Sequence, residues 1–407
     1  MPITKLHARE IIDSRGNPTV EVEVWSAKTS ATAAAPSGAS TGAKEVQAFP
    51  DDGVSSAISL FNSEYSKKFV GAEIDYHETD LIFQKIDPDF STLGGNVCVA
   101  LSLAVGKLQA AAENKEFYEI FGQKHTMPFP LGNVLGGGAH AGPGSPDIQE
   151  FLALPTGAKT ITEAIAANEA VHKKVLDLIY EKSPDFTKGR NDEGGWAPKM
   201  GNAQALELLV TACSIVSKEL GFAIKPGLDV AATQFWDKEK GAYVYRDGST
   251  KTPEQQIDYM EEIVKQHGIF YIEDPFEETS FDSFAELKQR IGKKCLVVAD
   301  DLTVTNPELL EQCIKSNSAN SIIIKPNQVG SLTDTEKVIK RAIESKYTPV
   351  VSHRSGETTD TSIAHIAVGF SAPILKCGVT GGERVAKLDE LIRIAEKSKA
   401  KMAKIRI

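Results

Sequence analysis

Residues 270–327 read FYIEDPFEETSFDSFAELKQRIGKKCLVVADDLTVTNPELLEQCIKSNSANSIIIKPN. Three short apolar runs lie in this stretch, at 270–272, 295–299 and 322–324. Each ends on residues that resist burial: Glu273-Asp274-Pro275, Asp300-Asp301 and Lys325-Pro326. Runs of this length, rich in β-branched residues and separated by helical patterns, read as strands of a parallel sheet covered on both faces. Charges at the exits of such strands face one mouth, where an α/β barrel keeps its chemistry.

The spacing extends the pattern. Glu273 to Asp300 is 27 residues, Asp300 to Lys325 is 25, Lys325 to His353 is 28 and His353 to Lys376 is 23. One strand, one loop and one covering helix take about 25 to 30 residues in such barrels. Upstream, Lys225-Pro226-Gly227-Leu228-Asp229 is a further short strand closing on a carboxylate. Asp229, Glu273 and Asp300, then Lys325, His353 and Lys376, therefore leave successive strands. Any one of them could simply solvate a strand end; six in order point to a site.

At 407 residues the chain is long enough for a barrel and one smaller domain. We place the boundary at the break Met127-Pro128-Phe129-Pro130, giving an N-terminal α+β capping domain, 1–125, and a β/α barrel, 126–407. In the first domain, strands at 3–12 and 18–25 flank the turn Asp13-Ser14-Arg15-Gly16-Asn17. The small-residue loop 36–45 is either loose surface or a mobile lid. Helical text follows from 54 to 114, and its apolar helix at 99–112 belongs between domains or subunits. In the second domain a glycine-rich loop carries His140, a strand at 148–154 carries Glu150, helices span 161–181 and 202–220, and Glu193 sits between them among glycines. The last helix, 382–400, presents Val385, Leu388, Leu391, Ile392 and Ala395 on one face.

A formal charge of −10 argues against nucleic acid or an anionic membrane as main partner, although local cations still permit an anionic small substrate. No apolar run approaches the ~20 residues of a membrane span, and the N-terminus lacks a signal-peptide core. Five cysteines, odd in number and without paired metal spacing, read as buried hydrophobes in a reducing compartment, so a cytoplasmic location is expected.

Asp229, Glu273 and Asp300 are oxygen ligands without histidine or thiolate, which favours Mg²⁺ or Mn²⁺ over zinc. The competing reading pairs them with Lys325, Lys376 and Arg354. Lys325 leaves a dry strand beside another lysine and the expected metal, so its pKa should fall, as a general base requires. Arg354 and Ser355, next to His353, suit a phosphate. Glu193 would be the opposing acid, its pKa raised by burial or carboxylate neighbours, unless it is merely a turn or capping residue. Together these groups describe proton abstraction beside a carboxylate and loss of a leaving group.

The residues that carry this chemistry resemble the enolase family, in its archaeal form. The matching text includes REIIDSRGNPTVEVEV (9–24), PSGASTGAKE (36–45), HAGPGSPDIQEF (140–151), DEGGWAP (192–198), YIEDPF (271–276), VADDLTVTNP (298–307), IIIKPNQVGSLT (322–333), VSHRSGETTD (351–360) and LKCG (375–378). The resemblance implies reversible dehydration of 2-phospho-D-glycerate to phosphoenolpyruvate in glycolysis, with an enolase-type barrel and a stabilised ene-diolate. It also implies two Mg²⁺ ions, the first on Asp229, Glu273 and Asp300, the second substrate-dependent and joined by lid residue Ser40. Lys325 would be the base and Glu193 the acid, with Glu150 beside it. Arg354 and Ser355 would contact phosphate, Lys376 the substrate carboxylate, and His140 and His353 would line the pocket. A homodimer or larger homo-oligomer is implied as well. A related enzyme acting on another carboxylate would leave Arg354 and Ser355 idle, and a non-catalytic relative would not need Lys325 and Glu193. The chain departs from the family pattern in a shortened 45–95 segment, Asn191, Pro143, Pro146 and GGERVAKL (381–388).

Overall fold

The computed structural model describes residues 1–38 and 42–407, so Ser40, the expected lid ligand, lies outside the described residues. Three antiparallel strands open the chain: β1 (Lys5–Ile12), β2 (Pro18–Trp25) and β3 (Ser30–Ala34). The register pairs Lys5 with Trp25 and Ile12 with Pro18. The expected turn closes it, Asp13 Oδ1 accepting from the amides of Arg15 and Asn17 at 2.9 Å each. Alternation turns Leu6, Ala8, Val20, Val22 and Val24 to one buried face, as a half-solvated antiparallel sheet requires.

Helices α1 (Val54–Ser63) and α3 (Gly95–Ala112) cover that face, and α2 (Tyr76–Ile86) packs on α3. α3 lies against β2, β3 and α2, and meets the second domain on its other side. Its sequence is apolar all round, so burial on every side is its stable placement. Contrary to the expectation that no segment approaches a membrane span, α3 has the length and composition for one, with mean hydropathy 1.3 over 18 residues; within the fold 78% of that window is buried.

The second domain begins with β4 (Phe129–Gly136) and β5 (Glu150–Leu154), then α4 (Ile161–Lys182), α5 (Asn202–Leu220) and β6 (Lys225–Asp229). A small sheet of β7 (Trp236–Asp237), β8 (Ala242–Val244) and β9 (Thr250–Lys251) precedes α6 (Pro253–His267). Strands and helices then alternate: β10 (Tyr271–Glu273), α7 (Phe281–Ile291), β11 (Leu296–Ala299), α8 (Pro307–Ser316), β12 (Ser321–Ile324) and α9 (Leu332–Glu344). β13 (Thr348–Ser352), α10 (Ser362–Gly369), β14 (Ile374–Lys376) and α11 (Gly382–Ser398) complete the chain.

β10 to β14 with β4, β5 and β6 close into an eight-stranded barrel. Leu131, Leu152, Tyr271, Leu296, Val298, Ile323, Val350 and Ile374 fill its interior, while Ile322 and Ile324 turn outward to the helical layer. The barrel is not uniformly parallel: β5 runs antiparallel to both β4 and β6. The link from Gly136 to Glu150 is rich in glycine and proline and forms no crossover helix, so the chain returns beside the strand it left. The last helix also departs from expectation. Val385 is 39% exposed, and Arg384, Lys387, Leu388, Leu391 and Ile394 form the buried stripe. Its two charges are tolerated inside because Lys387 meets Glu357 at 2.8 Å and Arg384 meets backbone carbonyls.

The two domains are joined by a largely buried ion pair. Lys107 Nζ on α3 donates to Asp360 Oδ2 at 2.6 Å and to Thr32 O at 3.0 Å. Burial pushes the Asp360 carboxyl up, but Lys107 and the Ser362 bonds prevail and leave it at about 2. A depressed carboxyl stabilises the fold above its unfolded pKa of about 3.9, and that contribution drains away as pH falls toward 2. Lys107→Met should lower the unfolding free energy by about 3 kcal/mol at neutral pH, because it strands a buried carboxylate. In denaturant titrations the loss should shrink between about pH 4 and pH 2; an equal loss across that range would refute the pair's role.

Candidate active site

Register brings the expected charges to one rim. Asp229 and Glu273 are paired partners at the ends of β6 and β10, and Lys376 ends β14 opposite Ser352. Asp300, Lys325 and His353 each stand one residue beyond β11, β12 and β13. Glu150 reaches the same rim from the start of its strand, opposite Asp229, because β5 is reversed. One cavity is lined by His140, Glu150, Glu193, Asp229, Asp300, Lys325, His353, Arg354, Ser355 and Lys376. Glu273 lies behind this lining, fully buried, with Tyr271 donating its hydroxyl to Oε2.

Two lysines hold the acids. Lys376 Nζ lies 2.8 Å from Asp229 Oδ2, 2.8 Å from Glu273 Oε1 and 3.0 Å from Glu150 Oε1. Lys325 Nζ meets Asp300 Oδ2. Asp229, Glu273 and Asp300 thus converge through ammonium groups rather than oxygen to oxygen. Among the described residues, the ligand-type trios that approach within 4.8 Å are His140, Glu150, Glu193 and Asp274, Asp300, Asp301. Asp274, at φ 41°, accepts from the amides of Asp300 at 3.0 Å and Asp301 at 2.8 Å and so shapes that rim.

The protonation expectations need two corrections. Burial pulls the Lys325 ammonium down, but the Asp300 carboxylate against it prevails, and its pKa stands above the ordinary lysine value. The expectation from sequence counted the neighbouring cations and not this anion. Burial acts to raise Glu193, yet His353, His140 and Arg384 hold it well below the carboxylate range. The carboxyl pushed well above that range is Glu150, by burial and then by the charge of Glu193. Asn133 Nδ2 joins the two, donating to Glu150 Oε2 at 3.1 Å and Glu193 Oε2 at 3.0 Å. Of the two, Glu150 is therefore the one that favours its proton.

Arg354 is buried, and its two terminal nitrogens reach Glu45 at 2.9 and 3.1 Å and Asn327 Oδ1 at 3.0 Å. His140 Nδ1 lies 3.7 Å from Glu193 Oε1, and His353 Nε2 lies 3.4 Å from Glu193 Oε2. Glu45, Asn133, Arg384 and Gln149, whose side-chain amide donates to Asp229 Oδ2 at 3.3 Å, were not singled out from the sequence as site groups. Glu45 closes the glycine-rich run 36–45, an acid where a loop of small residues ends, and that signal was available. Asn133, inside an apolar strand, offered none beyond being a polar residue where none is needed for packing.

The donor set fits a hard divalent cation. Six buried carboxyl groups, Glu150, Glu193, Asp229, Glu273, Asp274 and Asp300, face buried Arg354 and Lys376 with Lys325 alongside. Burial and mutual repulsion push Glu273 up to about 8 and Asp301 up to about 7. A divalent ion relieves such a surplus, and carboxylate oxygens suit magnesium rather than zinc.

Known proteins resemble this chain in sequence along nearly its whole length. The family description "Enolase, N-terminal domain" fits residues 3–121, and "Enolase, C-terminal TIM barrel domain" fits residues 124–405. A curated protein named Enolase from Methanosphaera stadtmanae is 51% identical over 97% of this chain and 97% of its own length. Those from Methanothermobacter thermautotrophicus and Archaeoglobus fulgidus, also named Enolase, are 50% and 45% identical. Each covers 97% of this chain, over 96% and 98% of their own lengths.

Close packing holds the Glu193 loop in place. A Cβ on Gly378 would lie 2.1 Å from Glu193 O, whereas one on Gly382 would meet open space. Gly378→Ala should destabilise the fold by about 1–3 kcal/mol, and Gly382→Ala should stay within about 0.5 kcal/mol of the parent. Thermal unfolding of the two variants checks this; equal stability would show that the loop yields freely.

Proposed function

The chain belongs to the enolase family, and on that premise we propose that it reversibly dehydrates 2-phospho-D-glycerate to phosphoenolpyruvate. The observation that carries this reading is the cavity itself. Lys325, the Glu150–Glu193 pair, Arg354, Ser355 and Lys376 all line it. Arg354 and Ser355 would take the phosphate through charge-assisted bonds, and Lys376 the substrate carboxylate. His140 and His353 line the pocket around Glu193.

Lys325 is the proposed base for the C2 proton, and Glu193, supplied by the proton it shares with Glu150, the acid that releases the C3 hydroxyl as water. Asp229, Glu273 and Asp300 would hold one Mg²⁺, and Ser40 would join a second that binds with substrate. When bound, magnesium supplies positive charge to offset the second negative charge gathered on the substrate carboxylate. With Asp300 committed as a ligand, burial and the nearby Arg354 and Lys376 charges favour the free amine of Lys325. The N-terminal domain, taken as residues 1–125, would cap the mouth through loop 36–45, and the active form is proposed as a homodimer or larger homo-oligomer.

Lys325→Ala should lower the rate of phosphoenolpyruvate formation, followed by ultraviolet absorbance, by about 10²–10⁴-fold in folded protein; full retained rate would remove Lys325 as base. Calorimetric Mg²⁺ titration should find one site in the free protein and two with a substrate analogue. Two tight sites without analogue would overturn the ordered second ion.

A further inference from the structure

Arg384, near the start of α11, is fully buried and directs its donors to carbonyls of the site loops. It reaches Arg354 O, Ser355 O at 2.8 Å and Asp192 O at 3.2 Å. Its Nη1 also lies 2.7 Å from Nδ1 of His353. A guanidinium has no acceptor and stays protonated in proteins, so Nδ1 must be the accepting nitrogen. The Gly378 amide donates to the same Nδ1 at 3.3 Å. Two independent donors therefore call for one lone pair, and the identity of the protonated ring nitrogen follows from its partner.

We propose that Arg384, with the Gly378 amide, locks His353 as the neutral tautomer protonated on Nε2, and so keeps the working proton on the Glu150–Glu193 carboxyl pair. Arg384 is then a positioning residue, and the inference rests on the acid role proposed for Glu193. In this tautomer the Nε2–H faces Glu193 Oε2 at 3.4 Å, and Nε2 is buried without another partner. Asn133 donates to that same oxygen. With two N–H groups at Oε2, a proton arriving on Glu193 belongs on Oε1. The opposite tautomer would turn a bare nitrogen lone pair toward Glu193, and His353 would compete for the proton the acid must deliver. Burial, with the Arg384 charge behind it, brings His353 down to about 4 despite the opposing pull of Glu193, which agrees with a neutral ring.

The direct test is nitrogen-15 NMR of the whole protein labelled at histidine, with the His353 signals identified by their loss in His353→Gln. At neutral pH, Nδ1 should resonate as an unprotonated acceptor and Nε2 as a protonated nitrogen. A protonated Nδ1, or an imidazolium, overturns the lock whatever the activity and whatever the variants do. In Arg384→Met the His353 signals should move toward a tautomer mixture or imidazolium, and kcat should fall at least about tenfold with KM within about twofold. Arg384→Lys, which retains a donor, should recover part of both. His353→Gln keeps an N–H toward Glu193 that cannot be surrendered, so adding Arg384→Met there should cost markedly less than in the parent. Undiminished loss in that background would reduce Arg384 to a brace for the loops. If the parent forms no phosphoenolpyruvate, the reading of Glu193 fails while the NMR result still reports on the tautomer.

Discussion

Excess buried negative charge at one rim of a barrel is the condition to which the rest of this molecule answers. Carboxylates do not stay ionised in a dry, low-dielectric site unless cations stand against them. Lys376 bridges three of them, Asp229, Glu273 and Glu150, and Lys325 takes Asp300. Two ammonium groups cannot neutralise the set, and the pKa values show what is left of that imbalance in Glu273, Asp301 and Glu150. The same surplus that is unfavourable for stability makes the rim receptive to a divalent ion and an anionic substrate together.

Several devices outside the rim keep its members in place. The reversed β5 brings Glu150, the first residue of its strand, level with Asp229, the last of β6. The first domain reaches across: Glu45 holds Arg354, Ser14 Oγ donates to Ser355 O at 3.3 Å, and Arg15 meets Asp192 at 3.2 Å beside Glu193. His172 stacks on Trp196 at 4.6 Å and donates from Nε2 to Gly194 O, steadying the acid loop from the other side. Arg384 ties two of these segments, the loop of Arg354 and Ser355 and the loop of Asp192, to one side chain. A charged residue wholly inside the protein is tolerable because each of these contacts meets a carbonyl or ring nitrogen.

The parallel run β10 to β14 was legible because its strands are buried on both faces and must be apolar throughout, ending abruptly where solvent begins. The rim residues were legible for the same reason, since a charge directly after an isoleucine run marks where the chain leaves the dry interior. The proton assignments were not. Lys325 and Glu193 each have burial acting in the expected direction, and each is overruled by partners brought from distant segments, Asp300 in one case and His353 with His140 in the other. Val385 was expected on the buried face of the last helix, where Arg384 stands instead, because apolar periodicity takes no account of carbonyls waiting in the interior.

The amino-acid sequence alone therefore determined the barrel, the smaller domain ahead of it, the order of acids and bases around the mouth, and the family to which the motifs belong. These follow from local patterns: strand length, turn chemistry, repeat spacing and residue type. Tertiary structure decided the direction of β5, the bridging position of Lys376, the division of the proton between Glu150 and Glu193, and the bond from Arg384 to His353. Each depends on a distance between atoms far apart in the chain, and electrostatic interaction in a dry site changes steeply with such distances.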